Sequence, residues 1–311
     1  MRFFSAAEID GLLTFPALVD ALGAAFRGDI VTPVRHHHEV ARPDATGTLL
    51  LMPAWTGPEI SPAYLGTKVA TVYPGNASKG LPSVMGTYLL MDGATGKPLA
   101  ALDGTRLTLW RTAAASALAS RMLERPDSKR MLMVGAGALS PFLVKAHRSV
   151  RNFEDVAIWA RRPEAAAEVV AELAADGIAA RVAEDLEAEA RQADLISCAT
   201  LSREPIVQGR WLKRTAHLDL VGAFNMAMRE ADDEALQRAH VFVDTEAAAR
   251  YLALEGHTLE CYRSLGGGPV FHKFGKWVRY AVDDLDVWAE SCRRLTTASP
   301  AAPRILPIDR T

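Results

Sequence analysis

The pattern of apolar and polar positions predicts helices first and short strands after them. A capping-box spacing at Ser5-Ala6-Ala7-Glu8 opens one helix, and a second helix is predicted from Phe15 to about Phe26. Between residue 31 and about residue 102, the chain consists of short apolar runs separated by Pro, Gly and Asn. This region is predicted to be a mostly antiparallel sheet. Its clearest strands are 48–52, 66–72 and 85–91.

The second half of the chain alternates between strands and helices. An alanine-rich buried helix is predicted at 113–123, an apolar strand at 130–134 and a helix from there to about Val150. The pattern continues with a strand at 155–159, a helix at 163–175 and strands at 194–198, 217–221 and 241–244. This alternation favours a parallel sheet covered by helices. The predicted fold class is therefore α/β, a Rossmann-like doubly wound parallel sheet plus a second α+β domain, with a helix again near residue 283.

Composition excludes several classes of protein. The chain has 311 residues, of which 49% are hydrophobic and 23% charged, as in ordinary globular proteins. The net charge of −2 gives no reason to expect nucleic acid or an anionic membrane as a partner. No apolar run reaches the roughly 18 residues of a spanning helix, and no signal-peptide core is visible. Cys198, Cys261 and Cys292 are odd in number and far apart, which predicts a reducing, cytoplasmic location.

A glycine-rich turn, Gly135-Ala136-Gly137, follows the apolar strand 130–134 and opens the next predicted helix. In this position, backbone N–H groups and a helix N-terminus can hold the pyrophosphate of a dinucleotide. Ser140 stands where the usual fingerprint has its third glycine. The pattern predicts a dinucleotide site, and a tight turn without a ligand is the alternative.

The residues after the next strand favour NADPH over NADH. An acidic residue about 20 positions further on would bind the ribose hydroxyl of NAD. The segment Trp159-Ala160-Arg161-Arg162-Pro163 contains no carboxylate. Its two guanidinium groups could hold a 2′-phosphate by charge and by their forked geometry. The alternative is a solvated pair of arginines at the start of a helix.

Three cations in the first part of the chain are candidates for binding an anionic substrate. Lys68 lies within an apolar strand pattern, and Arg35 precedes a run of histidines. Arg111 stands between Trp110 and a run of alanines, at the predicted start of a buried helix. An arginine in such surroundings usually has an anion or a carboxylate partner. The alternatives are an outward-pointing side chain for Lys68 and an ordinary loop position for Arg35.

The three histidines, His36-His37-His38, are not predicted to hold a metal ion. Neighbouring side chains of an extended chain face opposite ways, so only His36 and His38 could converge. No cluster of Cys, Asp or Glu completes a site.

Taken in order along the chain, these motifs resemble the ornithine cyclodeaminase and mu-crystallin family. The resemblance covers about residues 5 to 290. It rests on Gly66-Thr67-Lys68 leading to Tyr73-Pro74-Gly75-Asn76, on Gly80-Leu81-Pro82-Ser83, on 92–103 with Thr95-Gly96-Lys97-Pro98, on 108–119 with Arg111-Thr112-Ala113-Ala114, on the Gly135 turn, and on Val221-Gly222-Ala223 with Arg229-Glu230. It implies a homodimer whose subunit has two domains. Residues 1–117 would form a substrate-binding and dimerisation domain, joined by a C-terminal helix at 283–311, and residues 118–282 a dinucleotide-binding Rossmann domain.

The resemblance also implies roles for individual residues. Arg35, Lys68 and Arg111 would bind the substrate carboxylate, and Lys68 and Arg111 are the predicted catalytic residues. The positions predicted to contact the cofactor are Ser83, Arg111, Thr112, Gly135, Ala136, Gly137, Ala138, Arg161, Arg162, Ala199, Thr200, Val221 and Gly222.

Two departures from the family pattern indicate the reaction. Cyclodeaminating members look to have carboxylates where this chain has Leu50, shortly before Met52-Pro53, and Phe224, directly after Gly222-Ala223. Neither side chain has a proton to exchange with an ornithine amine. Phe224 suits the hydrocarbon ring of a cyclic imine, and its segment looks most like that of Δ1-pyrroline-2-carboxylate reductases. The predicted activity is NADPH-dependent reduction of Δ1-pyrroline-2-carboxylate to L-proline, or of its six-membered analogue to L-pipecolate.

The predicted mechanism delivers hydride to C2 of the imine, whose C=N bond is polarised by a proton. Lys68 is the best candidate for the proton donor, His36 and His38 are weaker ones, and solvent could serve instead. NADH in place of NADPH stays an alternative.

Four other functions stay open on this scaffold: an ornithine cyclodeaminase, an alanine-type dehydrogenase, a non-catalytic NADPH-dependent binder and a degraded paralogue. The last is suggested by Lys276-Trp277-Val278-Arg279, where family members usually show Lys-Ser-Val-Gly.

Overall fold

The computed structural model describes residues 1–33, 35–42, 45–223, 228–239, 241–243, 272–274 and 277–281. The chain divides into two compact units, Met1–Ala235 and Leu236–Thr311. The first unit contains both of the large sheets.

Seven strands form the sheet of the N-terminal part. In chain order they are β1 (Arg2–Phe4), β2 (Ile30–Val31), β3 (His36–Arg42), β4 (Ala45–Thr56), β5 (Tyr64–Val72), β6 (Val84–Asp92) and β7 (Pro98–Asp103). Across the sheet the order is β1-β7-β6-β5-β4-β2, and β3 also pairs with β4. Every pair is antiparallel except β1 with β7. The predicted antiparallel sheet is therefore confirmed.

Three helices belong to this part of the chain: the first and third contact the sheet, and the second packs against the third. The helix α1 (Ala6–Leu12) begins at the predicted capping box, in which Ser5 and Glu8 bond each other's backbone. The helix α2 (Phe15–Arg27) has a proline in its first turn. The helix α3 (Gly104–Leu123) is capped by Asp103, whose carboxylate accepts a hydrogen bond of 2.7 Å from the backbone N–H of Arg106 in the first turn.

The position of Arg111 at the start of a helix was wrongly predicted. Since α3 begins at Gly104, Arg111 lies about two turns inside it, and the helix N-terminus adds nothing to anion binding there. The glycine hid the helix start, because glycine has a low helix propensity and the capping role of Asp103 was not recognised.

The first turn of α3 lies directly on the backbone of β6. A Cβ added to Gly104 would come within 2.7 Å of the carbonyl carbon of Gly86. The backbone N–H of Gly86 also donates a hydrogen bond of 3.1 Å to the hydroxyl of Thr105. Only glycine permits so close an approach of two backbones. The two glycines therefore determine where α3 meets the sheet.

A five-stranded parallel sheet follows α3. Its strands are β8 (Arg130–Val134), β9 (Asp155–Trp159), β10 (Arg181–Val182), β11 (Leu195–Cys198) and β12 (His217–Leu220), and the helices between them are α4 (Ser140–Val150), α5 (Pro163–Ala175) and α6 (Leu186–Gln192). The order β10-β9-β8-β11-β12 runs outward from β8 in both directions. The doubly wound sheet is confirmed, and its switch point between β8 and β11 is where such sheets bind ligands.

A core of aromatic and aliphatic side chains joins α3 to its neighbours. Trp110 is buried, with its ring centroid 4.3 Å from that of Phe15 on α2 and 5.7 Å from that of Phe142 on α4. The indole N–H of Trp110 donates a hydrogen bond of 2.8 Å to Asp10 on α1, whose carboxylate also pairs with Arg106. These contacts hold the first half of α3 between α1, α2 and α4.

The remaining described elements follow β12. They are α7 (Asp233–Arg238) and a separate antiparallel sheet of β13 (Phe242–Val243), β14 (His272–Phe274) and β15 (Trp277–Ala281), in the order β13-β15-β14. The prediction that 241–244 continues the parallel sheet is therefore wrong, because a short apolar run indicates neither direction nor partner. The predicted helix at 283–311 lies outside the described residues. The predicted domain boundary between 117 and 118 falls within α3, and this division stays a prediction.

No single helix among the described residues has the length and apolar character to cross a membrane. The helices α1 and α2 meet that criterion only as a pair, with a bend of 86° between them. Cys198 is a free, buried thiol, and the other two cysteines lie outside the described residues. The cytoplasmic location stays a prediction.

Candidate active site

The glycine turn after β8 has the geometry of a phosphate-binding turn. Gly135 has a φ of +116°, and a Cβ at this position would come within 2.5 Å of the carbonyl oxygen of Ala199. A Cβ on Gly137 would meet nothing within 4 Å, so a ligand can approach the backbone there. The hydroxyl of Ser140 donates a hydrogen bond of 2.9 Å to the carbonyl of Gly135 and starts α4. The turn and the N-terminus of α4 thus face the carboxyl edge of the parallel sheet.

A buried glutamate holds the neighbouring loops of this edge together. Glu230 is 2% exposed, and its carboxylate accepts hydrogen bonds from the backbone N–H of Thr200 at 2.6 Å and of Gly222 at 2.8 Å. The Thr200 hydroxyl donates a third bond of 2.8 Å. Only glycine fits at position 222, because a Cβ there would overlap the backbone of Thr200. Glu230 therefore brings the predicted cofactor positions after β11 and β12 together.

No role was predicted for Glu230, although it is part of the Arg229-Glu230 pair that carries the family resemblance. A carboxylate shortly after a Val-Gly-Ala turn was the available signal. Backbone N–H groups at strand ends need acceptors when they are buried.

The two arginines predicted to select NADPH lie at the same edge. Arg161 and Arg162 follow β9, and Arg162 is the residue before the first turn of α5. The carbonyl of Trp159 accepts a hydrogen bond of 2.8 Å from Gly135, so this strand end adjoins the glycine turn. Both side chains are exposed, and neither forms an ion pair with any residue that the structure describes. Two unpaired guanidinium groups thus lie beside the turn.

Of the three predicted substrate cations, Arg35 lies just before β3, Lys68 lies on β5 and Arg111 lies in α3, and their charges act on one another. Burial, and then the charges of Arg111 and Arg35, lower the pKa of Lys68 to about 8. Burial and the charge of Arg35 likewise lower the pKa of Arg111. Solvent reaches the guanidinium of Arg111, but the protein around it is dense enough to strip part of its hydration. In the described part of the chain, neither residue forms an ion pair with a carboxylate.

The sheet register shows which side chains surround Lys68. Lys68 pairs with Met52 on β4 and with Tyr88 on β6, and Leu50 lies two residues along on the same face. A Cβ on Gly66 would collide with the hydroxyl of Tyr88, so the tyrosine ring extends over β5 on this face. Burial raises the pKa of Tyr88. Sequence reasoning missed Tyr88, whose only signal is the glycine two residues before Lys68.

The direction of α3 connects the cation cluster with the cofactor edge. The helix ends at Leu123, shortly before β8 starts, so its C-terminal half lies toward the amino edge of the parallel sheet. Its N-terminal half, with Arg111 and Thr112, therefore points toward the carboxyl edge. The hydroxyl of Ser116, one turn further on, donates a hydrogen bond of 3.0 Å to Asp219 on β12.

Four predicted positions remain to be accounted for. Ser83 is half-buried in the loop before β6, and its carbonyl accepts a hydrogen bond of 2.8 Å from Tyr73. Phe224 lies outside the described residues. His36 and His38 lie on one face of β3 with ring centroids 6.4 Å apart. Among the residues that the structure describes, no three His, Cys, Asp or Glu side chains are arranged to hold a metal ion.

The chain matches the model of the ornithine cyclodeaminase/mu-crystallin family over residues 2–257. It is 39% identical over 247 residues to the Δ1-pyrroline-2-carboxylate reductase of Paracoccus denitrificans. The matched region covers 78% of this chain and 75% of that protein.

Two solved structures have the same fold. The Thermococcus litoralis Δ1-pyrroline-2-carboxylate reductase, in complex with NADH and L-proline, has a TM-score of 0.70 and 32% identity over 77% of this chain and 74% of that one. An archaeal alanine dehydrogenase dimer with bound NAD has a TM-score of 0.71 and 27% identity over 93% of this chain and 85% of that one.

Proposed function

Because this chain belongs to the ornithine cyclodeaminase/mu-crystallin family, we propose that it reduces Δ1-pyrroline-2-carboxylate to L-proline with NADPH. The chain is an oxidoreductase that uses a nicotinamide cofactor, as its named relatives are. The preference for NADPH and the identity of the imino acid are the finer parts of the proposal. The observation that carries it is the cluster of Arg35, Lys68 and Arg111.

Among the residues that the structure describes, no carboxylate pairs with Lys68 or Arg111 in the cation cluster. Burial removes hydration from Lys68 and Arg111, and the neighbouring like charges repel them, which is why the pKa of Lys68 falls to about 8. A substrate carboxylate would relieve both effects, and the forked guanidinium of Arg111 can bond both of its oxygens. Leu50 lies on the same sheet face as Lys68 and offers apolar surface to a ring. A cyclic imino acid combines these two features.

The carboxyl edge of the parallel sheet fits a dinucleotide. Gly137 leaves space beside the turn, and the N-terminus of α4 favours a pyrophosphate there. Arg161 and Arg162, which have no described carboxylate partner, are the groups that we expect to bind the 2′-phosphate of NADPH. When bound, the reduced nicotinamide supplies the hydride.

Reduction of a C=N bond also needs a proton at nitrogen. Lys68 is protonated at neutral pH, and a pKa of about 8 makes its proton easier to release than that of an ordinary lysine. The proposed role of Lys68 is therefore twofold. It holds the substrate carboxylate and keeps a proton near the imine nitrogen.

The assembly and the domain division are parts of the same proposal. The face of the antiparallel sheet away from Lys68 exposes Trp55 and Met85, an apolar surface of the kind that protein partners cover. We expect a homodimer, like the related alanine dehydrogenase dimer. The substrate domain would comprise residues 1–117 with the C-terminal helix, and the cofactor domain residues 118–282.

The decisive experiment is a set of parallel assays, each with one candidate substrate and one nicotinamide cofactor. NADPH consumption with Δ1-pyrroline-2-carboxylate and formation of L-proline, faster than with NADH, is the expected result. The six-membered analogue, run beside it, gives the ring preference.

Each rival function has its own outcome in this assay. Proline and ammonia formed from L-ornithine with NAD would mean a cyclodeaminase. Reduction of pyruvate that depends on ammonia would mean an alanine-type dehydrogenase, which the 27% identity to that structure makes the second candidate. Tight binding of NADPH and L-proline with no turnover of any substrate would mean a non-catalytic binder.

A further inference from the structure

A buried group of polar side chains connects α3 to the parallel sheet. Asp219 on β12 accepts hydrogen bonds from Ser116 on α3 at 3.0 Å, from Ser197 on β11 at 2.8 Å and from Nε2 of His147 on α4 at 3.2 Å. The opposite ring nitrogen of His147 lies 3.0 Å from the hydroxyl of Ser120, again on α3. His147 and Ser197 are fully buried. The group therefore links two strands and two helices.

Asp219 is an ionised acceptor in this group. Burial by itself would raise the pKa of Asp219, but the hydrogen bond and charge of His147 and the hydrogen bond of Ser197 outweigh burial and lower it. An ionised carboxylate only accepts hydrogen bonds, and all three of its described partners can donate. A buried charge is stabilised only when such partners are complete. Each partner is therefore held in a defined position around Asp219.

The position of Asp219 relates it to both halves of the candidate active site. Ser116 lies four residues after Thr112, on the same side of α3, and Arg111 is the residue before Thr112. In the other direction, the chain runs from Asp219 to Gly222, whose backbone N–H is held by Glu230. One carboxylate thus contacts the helix that carries Arg111 and the strand that leads to the cofactor edge.

We infer that Asp219, held by His147, is a positioning residue that fixes α3 against the cofactor edge through Ser116. The kinetic part of this inference rests on the proposed function. Asp219 acts on the substrate only through the position of Arg111 and Thr112. Gly104 attaches the start of α3 to the antiparallel sheet, and Ser116 attaches its middle to β12.

Two serine variants test this inference with a matched control. Ser116→Ala and Ser197→Ala each remove one hydroxyl that donates to Asp219, but only Ser116 lies on α3. For Ser116→Ala we expect the KM for the imino acid to rise about tenfold, because small displacements of a substrate-binding group are costly. We expect an unchanged dissociation constant for NADPH. For Ser197→Ala we expect an unchanged KM, although both variants lower the Tm.

A second measurement does not need turnover. Amide hydrogen exchange in residues 105–115, measured without ligands, should be faster in Ser116→Ala than in Ser197→Ala or the wild type. Asp219→Asn, which replaces one acceptor oxygen by a donor, should speed exchange further.

The outcomes separate this inference from the proposed function. A wild-type enzyme that does not reduce the imino acid would overturn the proposed function, and the exchange data would still decide the role of Asp219. An active wild type whose two serine variants have the same KM and the same exchange in 105–115 would overturn the positioning role.

Discussion

Two charged clusters in this chain differ in how their cations are balanced. Arg181 lies between Asp155 and Glu189 and donates to both, with hydrogen bonds of 2.8 to 2.9 Å to Asp155 and of 2.6 to 2.8 Å to Glu189. These partners raise the pKa of Arg181. Lys68 and Arg111 have the opposite shift, because burial and like charges lower the pKa of each. The cation of the first cluster has its carboxylate partners within the fold, and in the described part of the chain Lys68 and Arg111 have none.

This difference separates structural charges from functional ones. Arg181 is 45% exposed in its side chain, so its ion pairs contribute little to the free energy of unfolding. The cluster of Arg35, Lys68 and Arg111 costs stability, which is the usual consequence of a site prepared for a charged ligand. Whether a cation has a carboxylate partner therefore indicates its role better than the presence of the cation alone.

The largest expected effect comes from removing one cation from each cluster. Arg111→Ala should lower kcat/KM for Δ1-pyrroline-2-carboxylate by about 100-fold, because a forked, charge-assisted contact to the carboxylate is lost. Arg181→Ala is the matched control and should leave kcat/KM within about twofold while lowering the free energy of unfolding by about 1 kcal/mol or less. Equal losses of kcat/KM in both variants would mean that the clusters do not differ in function. Steady-state kinetics and urea unfolding measure the two quantities.

The next effect concerns Arg161 and Arg162 at the cofactor edge, which form no ion pair with any described residue. Replacing Arg161 and Arg162 together by Ser should weaken NADPH binding by about 10- to 30-fold, because two charged contacts to a phosphate are lost. NADH binding should change by less than about twofold, since NADH has no 2′-phosphate. Fluorescence titration with each nucleotide gives both constants. A parallel loss for the two nucleotides would assign these arginines to the common part of the cofactor.

The titration of Lys68 gives a pH dependence with a definite sign. With a pKa of about 8, Lys68 loses its charge as the pH rises through that value, so kcat/KM should fall on the alkaline side. Arginine stays protonated in this range, so Lys68→Arg should remove or shift this limb. The pH profile of kcat/KM for both enzymes is the measurement. If kcat/KM of Lys68→Arg falls at the same alkaline pH, the titrating group is the imino acid and not Lys68.

The smallest effect is a gain in stability. Lys68→Met removes a repelled charge, so the free energy of unfolding at pH 7 should rise by about 1 kcal/mol. The unfolded lysine titrates near 10.5 and the folded one near 8, so the unfolded state binds more protons between these values. The wild type should therefore gain stability from pH 8 upward, and Lys68→Met should lack this gain. Calorimetry across this range would contradict the assignment if Lys68→Met is less stable than the wild type at pH 7.

Much of the fold could be predicted because the signals are local. The apolar strand before Gly135 and the alternation that follows it predict a parallel sheet from neighbouring residues alone. The start of α3 was missed for a local reason as well, since Gly104 hides a helix that Asp103 caps. The strand at 241–244 was misplaced because the pairing partner of a strand is a long-range property.

The candidate site could be predicted only in part. Arg35, Lys68 and Arg111 are visible as single residues, but their proximity depends on how the sheet and α3 pack and was expected only from the family resemblance. Asp219 lies in an ordinary strand pattern, and its partners Ser116 and His147 are 103 and 72 residues away. Nothing in the sequence around Asp219 indicates that these residues converge.

The single helix α3 has a consequence for recombination between relatives. Its 20 residues contact the antiparallel sheet through Gly104, the parallel sheet through Ser116, and the neighbouring helix α4 through Ser120. A chimaera that takes its two sheets from different parents inherits a mismatched contact wherever the crossover cuts this helix. The crossover should therefore be placed in the segment between Leu123 and β8. A gene fragment chosen to introduce a new substrate preference should encode the complete helix α3.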